Sequence, residues 1–171
     1  SIMLPSGVMM LRGKERLSDV GFRKEGIPRQ IAVGALFALA LSAVLTVLPV
    51  LLGFRGLIGS TAYAEPWKFV FEFAHALFAV SLVEEFVFRG YVFHKLLEIR
   101  DCRWFAAALS SALFGLFHVF GGSLVQVLTT AALGFAFCAF REKVRGCTLL
   151  SLIVAHGIYD FLIVLWVSVL P

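Results

Sequence analysis

From Ile31 to Leu52 the chain runs 22 residues without a charge, and that run decides which solvent it folds in. A helix of that length covers roughly 30 Å, the thickness of a hydrocarbon layer. The run has company further along. Of 171 residues, 60% are hydrophobic and 15% charged, and the mean hydropathy is +0.94. A water-soluble domain of this size cannot hide so much apolar surface, because a large share of its residues must face water. The expected fold is therefore all-α, a polytopic transmembrane helix bundle with about five spans.

The spans are expected at 31–52, from Trp67 to about Glu98, from Trp104 to Phe120, from Leu124 to Phe140, and from Cys147 to Leu170. Gly90 leaves a break in the second open, and Gly121-Gly122 closes the third. The third and fourth are short enough to form a tilted or deep-set hairpin. Residues 53–66 read as a loop. Residues 1–30 are mixed and basic, an N-terminal interfacial segment ahead of a membrane domain over 31–171, and Ser1 reads as a trimmed or processed start. Every Lys and Arg except Arg55 and Lys68 falls on one side of the bundle, which by the positive-inside rule puts the N-terminus in the cytoplasm. In a bacterium the membrane would be the plasma membrane. Ala62-Tyr63-Ala64 resembles a signal-peptide cleavage site, but the apolar run before it is too long and ends too far upstream. Three cysteines, an odd number, make no disulfide framework and have no zinc-ribbon spacing. No nucleic-acid motif is present; the basic residues flank apolar runs as membrane anchors do. The sequence sets no oligomeric state.

Against that background five ionisable residues stand out inside apolar segments: Glu84, Glu85, His118, His156 and Asp160. A charged group at mid-bilayer costs on the order of 3 kcal/mol on insertion scales, so such residues face a partner or a water-filled cavity. Glu85 and Arg89, four apart, share a helix face and read as a structural ion pair. Glu84 points about 100° away, which leaves its carboxylate free. His118 lies 15 positions from Arg103, and Asp160 lies 15 from Arg145, so the polar groups sit at matching depth. A carboxylate and an imidazole in a low-dielectric cavity can hold and deprotonate one water. A second imidazole with a further polar group can stabilise the oxyanion formed when that water attacks an amide. The same groups could instead hold Zn²⁺, with Glu84, His118 and His156 as three ligands and water as the fourth. HExxH is absent, and the cofactor question stays open at this point.

Glu84-Glu85-Phe-Val-Phe-Arg89 fits an EExxxR motif, Phe114 to His118 fits FxxxH, and His156 to Asp160 fits HxxxN/D. Three such motifs, in order and each in its own apolar segment, identify the chain as resembling the CPBP family over roughly residues 67–171. This family comprises CAAX prenyl proteases and bacteriocin-processing, Abi-type intramembrane metalloproteases. The resemblance implies an intramembrane endopeptidase of CAAX, leader-peptide or bacteriocin-processing type, whose partners are the bilayer and a peptide or protein substrate, prenylated in some members. By the same resemblance Glu84 with His118 would activate water, His156 and Asp160 would hold the oxyanion or the site geometry, and Glu85 with Arg89 would brace the helix. Asp160 departs from the Asn of the eukaryotic prenyl proteases. An ionised Asp would repel an oxyanion, so it must be protonated, paired with His156, or a metal ligand.

Other readings weigh less. Taken singly, His118 or His156 would more often be a buried, hydrogen-bonded histidine. Glu72 and His75 read as an interfacial pair, and Gly115, Gly134 and Gly157 as sites of close helix approach. A presenilin-like mechanism needs a second membrane aspartate, and Gly121-Gly122-Ser123 lacks the helical context of a rhomboid nucleophile. The alternative from another class is a non-catalytic membrane scaffold or bacteriocin self-immunity protein that keeps the fold. A proton-coupled transporter relaying through Glu84 and Asp160 would be expected to show an internal repeat, and none is present.

Overall fold

The computed structural model describes residues 3–59, 61–120 and 123–170, and every regular element among them is helical. Ser1 and the Gly121-Gly122 pair of the expected helix end lie outside the described residues. Seven helices follow in order: α1 (Met3–Gly13), α2 (Ile27–Leu51), α3 (Arg55–Ile58), α4 (66–99), α5 (Arg103–Phe117), α6 (Leu124–Lys143) and α7 (Leu149–Val169).

Local chemistry sets the boundaries. Gly26, at φ 68° where a side chain would be strained, precedes α2, and a proline in the first helical turn costs no hydrogen bond there. The helix thus begins four residues before the charge-free run. It widens into π-helical turns over Ala43–Val47, just ahead of Pro49, whose missing N–H breaks the regular ladder. Helix α4 does not break at Gly90: it runs on through π-helical turns over His75–Ser81 and Glu85–Val92 into Phe93–Ile99. Thr148 caps α7 in a reciprocal box with Ser151.

Three helices, α2, α6 and α7, are long and apolar enough to cross a membrane. Five were expected. Helix α5, 15 residues long, reaches only about 22 Å. Helix α4 has the length but carries Lys68, Glu72, Glu84, Glu85, Arg89 and Lys95 along it.

Helix α7 lies along α2 and crosses the middle of α4, while α5 pairs with α6 and packs on the second half of α4, and α6 reaches α2 and α7 through Phe137 and Phe140. Between lipid-soluble helices there is little hydrophobic driving force, so close backbone approach does much of the holding. A Cβ on Gly34 would collide with the Ser151 carbonyl, and one on Gly157 would meet the Leu77 Cα at 2.8 Å. One on Gly115 would meet the Val127 carbonyl oxygen at 2.6 Å. Gly115 and Gly157 therefore do what their placement suggested.

The basic end is tied together by specific bonds. Met10 and Val20 of the N-terminal segment are buried with Phe86, Val87, Phe88, Tyr91 and Phe114. Glu15 pairs with Lys95, and the Leu149 N–H donates to the Gly21 carbonyl at 3.2 Å. The Gln30 amide donates to the Arg23 and Glu25 carbonyls and accepts from the Thr148 hydroxyl. At the opposite end Arg55 donates to the Val167 carbonyl of α7 and to that of Leu170 just beyond it. There the expected Glu72–His75 pair does not form: Glu72 accepts from the Tyr63 hydroxyl at 3.2 Å, and His75 stacks on Phe71. Cys102, Cys138 and Cys147 are free thiols.

Candidate active site

The neighbouring carboxylates of α4 go to different surroundings. Glu85 turns inward, where its side chain is 0% exposed, and its Oε1 lies 3.0 Å from Nη1 of Arg89, itself 1% exposed. Arg89 rests on aromatic faces, 3.9 Å from the Phe114 ring centroid and 5.7 Å from that of Phe137, which supplies cation–π stabilisation to a charge held away from water. Arg141 of α6 donates to the Arg89 carbonyl at 2.7 Å. Gly134 makes room for the guanidinium, since a Cβ there would stand 2.7 Å from Arg89 Nη2.

Glu85 does a second thing that its spacing from Arg89 does not reveal. Its Oε1 also accepts from Nδ1 of His156 at 2.8 Å, across 71 positions of sequence. An acceptor at Nδ1 fixes that nitrogen as the donor, and Nε2 then points away toward the cavity. There Nε2 lies 3.3 Å from Asp160 Oδ2 and 3.9 Å from Glu84 Oε2.

His118 was expected within a helix running to Phe120. It instead ends one: α5 stops at Phe117, and His118 follows at φ −89°, ψ 1°. Its ring turns back so that Nδ1 bonds the Phe114 carbonyl at 2.9 Å. A carbonyl can only accept, so Nδ1 carries the hydrogen, and one of the carbonyls orphaned at the helix end is satisfied. Nε2 is left facing Glu84 Oε1 at 4.0 Å. Glu84 thus sits between two imidazole Nε2 atoms, each on a ring fixed by a bond at Nδ1.

These groups open onto one cavity of about 1110 Å³, lined by Glu84, His118, His156 and Asp160 among others. Phe54, Leu57 and Ile58, from the segment around α3, add apolar lining. All four residues singled out for chemistry are therefore brought together, with the Glu85–Arg89 pair directly behind them. The polar wall that α6 contributes, Gln126, Thr129 and Thr130, was overlooked; three polar residues at helical spacing in an apolar segment were the available signal. Ser123 caps α6, its hydroxyl accepting from the Gln126 N–H at 3.3 Å.

The arrangement can be tested against a metal. In a tetrahedral zinc site with bonds of about 2.0–2.1 Å, ligand nitrogens stand about 3.4 Å apart. Glu84, His118 and His156 do not bring three ligand atoms within 4.8 Å of one another, whereas Glu15, His94 and Glu98 do, at the basic end of the molecule. The cavity trio as it stands does not fit a single shared ion. The 3.9–4.0 Å gaps suit a hydrogen-bonded molecule placed between Glu84 and an imidazole.

A family model, that of the Rce1-like type II CAAX prenyl endopeptidases, matches residues 66–162. The match takes in all three motifs and more than half of the chain. No curated protein and no solved structure matches. With its motifs gathered on one cavity and that match across them, the chain belongs to the Rce1-like family of type II CAAX prenyl endopeptidases, membrane-embedded proteases.

Proposed function

We propose that the protein is an intramembrane endopeptidase that cleaves a peptide bond with water activated by Glu84 and His118, without a covalent intermediate. The observation that carries this reading is the placement of Glu84 within 4.0 Å of His118 and 3.9 Å of His156 at the wall of a large cavity. A water between Glu84 and His118 gives its proton to the carboxylate, and the resulting hydroxide attacks the amide carbon. Negative charge gathers on the carbonyl oxygen, and His156, held by Glu85 at Nδ1, presents its Nε2 edge to that oxygen. Asp160, its Oδ2 3.3 Å from Nε2, holds the heading of the ring in the resting site. When the C–N bond breaks, the proton held by Glu84 passes to the departing amine. The substrate is a CAAX-type or leader-peptide segment presented within the membrane.

The same reading takes residues 31–171 as the membrane domain, with residues 1–30 as a basic interfacial segment. It includes α4 and α5 as membrane-embedded alongside the three long apolar helices, five in all, with the N-terminus on the cytoplasmic side.

Purified protein incubated with a panel of prenyl peptides and leader peptides provides the test. Wild type cleaves at least one class, and Glu84→Ala and His118→Ala abolish cleavage while remaining folded and inserted. A Glu84→Ala protein that cuts at the wild-type rate would overturn the mechanism.

A further inference from the structure

Helix α6 turns one stripe toward the cavity: Gln126, Thr129, Thr130, Leu133 and Phe137, spaced as the face of a helix requires. Away from the stripe lie Leu124, Leu128 and Phe135, exposed as lipid-facing residues are. The stripe changes character along its length. Its deep end is apolar, with Phe137 packed edge-on to His156 at 5.8 Å between centroids. Its outer end is polar, in a helix otherwise apolar enough to span a membrane.

The polar groups at that outer end are not equally occupied. Thr129 uses its hydroxyl hydrogen within the helix, donating toward the Val125 and Gln126 carbonyls at 2.9 and 3.1 Å. The side-chain amide of Gln126 has no hydrogen-bond partner among the described residues, nor has the Thr130 hydroxyl one turn deeper on the same face. Gln126, in the first turn of α6, and Thr130, one turn on, both line the cavity that holds Glu84.

A peptide bond can be attacked only in a segment that is extended into the site. The main-chain N–H and C=O groups of that segment lose water on entry and need replacement partners, since leaving them unpaired in an apolar medium costs several kcal/mol. A glutamine amide supplies both complements, an oxygen that accepts and an NH₂ that donates. We infer that Gln126, supported by Thr130, pairs with the main chain of the substrate beside the scissile bond. It is thus a positioning residue that reads the peptide backbone rather than its side chains. The inference rests on the cavity being the peptide-hydrolysing site proposed above.

Affinity is measured for a fluorescein-labelled, farnesylated CAAX peptide in the Glu84→Ala background, so that cleavage plays no part in the result. Gln126→Leu raises the Kd of this probe about tenfold, the upper range for one neutral hydrogen bond. It leaves the unfolding temperature in place, because the side chain it replaces is exposed. A series of probes, each N-methylated at one peptide bond, locates the paired group. One position loses about tenfold against Gln126 and nothing further against Gln126→Leu. In the otherwise wild-type enzyme, Gln126→Leu raises KM and leaves kcat within about twofold, the pattern of an interaction shared by ground and transition states. Equal affinity for parent and Gln126→Leu, an N-methylation profile that the substitution does not change, or failure of the probe to bind the parent overturns the inference. Cleavage by Glu84→Ala at the wild-type rate would instead overturn the hydrolytic reading, whatever the binding series gives.

Discussion

Behind the cavity wall, Glu85 and Arg89 are 0% and 1% exposed, whereas on the wall Glu84, His118 and Asp160 keep 14%, 25% and 32% of their side chains open. The two sets are neighbours in space and carry the same kinds of group. The inner set is engaged by direct contacts: Glu85 binds Arg89 and His156 at once, and Arg89 is sandwiched near Phe114 and Phe137. The outer set is under-engaged, with gaps of 3.9–4.0 Å where shorter bonds could have formed. Polar groups packed tightly hold a geometry; polar groups held slightly apart leave space for a reactant. On the function proposed above, the first set would support and the second would react.

Substitutions on either side of that contrast should separate the two roles. The largest effect on chemistry is expected at Glu84→Ala, with peptide cleavage down about 10³-fold or more, in the range for loss of a general base. The unfolding temperature in detergent should stay within a few degrees. Glu85→Ala, one position away, strikes the inner shell. It strands Arg89 without its partner and should cost about 3–5 kcal/mol of stability, read from thermal unfolding. Turnover falls with it, because His156 loses its Nδ1 acceptor; a fully stable Glu85→Ala protein would show that the inner shell does not act as support. Gly134→Ala tests the same shell from the opposite helix. A methyl 2.7 Å from Arg89 Nη2 and 3.2 Å from Phe114 Cδ1 should cost about 1–3 kcal/mol. Arg103→Ala removes a pair with Glu142 at 3.0 Å in which Arg103 is 62% exposed, and less than about 1 kcal/mol should be lost. From the spacing of Glu84, His118 and His156, exhaustive chelation should leave turnover unchanged; its abolition would mean that these side chains close on an ion during the reaction.

What was legible in the sequence, and what was not, follows the same physical line. Charged residues in apolar segments are conspicuous because the bilayer makes them costly, and so Glu84, His118, His156 and Asp160 could be picked out before any coordinates. The bond from Glu85 to His156 left no trace, because it joins helices 71 positions apart and depends on how α7 crosses α4. Arg141 looked like a cytoplasmic anchor, one basic residue among three near a helix end; in the fold it reaches inward to the Arg89 carbonyl. The N-terminal segment lacked a clear period, yet Met10 and Val20 pack behind the motif helix. Of the five spans expected, three meet the length and apolarity of a crossing helix, for a related reason. Apolar composition reports solubility in lipid, whereas helix length is set by where caps and turns fall, and α5 ends at Phe117 with the His118 ring folded back onto it.

That folded-back ring has a consequence for the four-residue interval between Phe114 and His118. Phe114 offers its carbonyl to the imidazole and its ring to the Arg89 guanidinium, so a single residue serves both shells through different atoms. Inserting or deleting one residue between the two positions would swing the imidazole by about 100° and part it from that carbonyl. The interval works as a gauge, translating the end of a helix into the heading of one nitrogen.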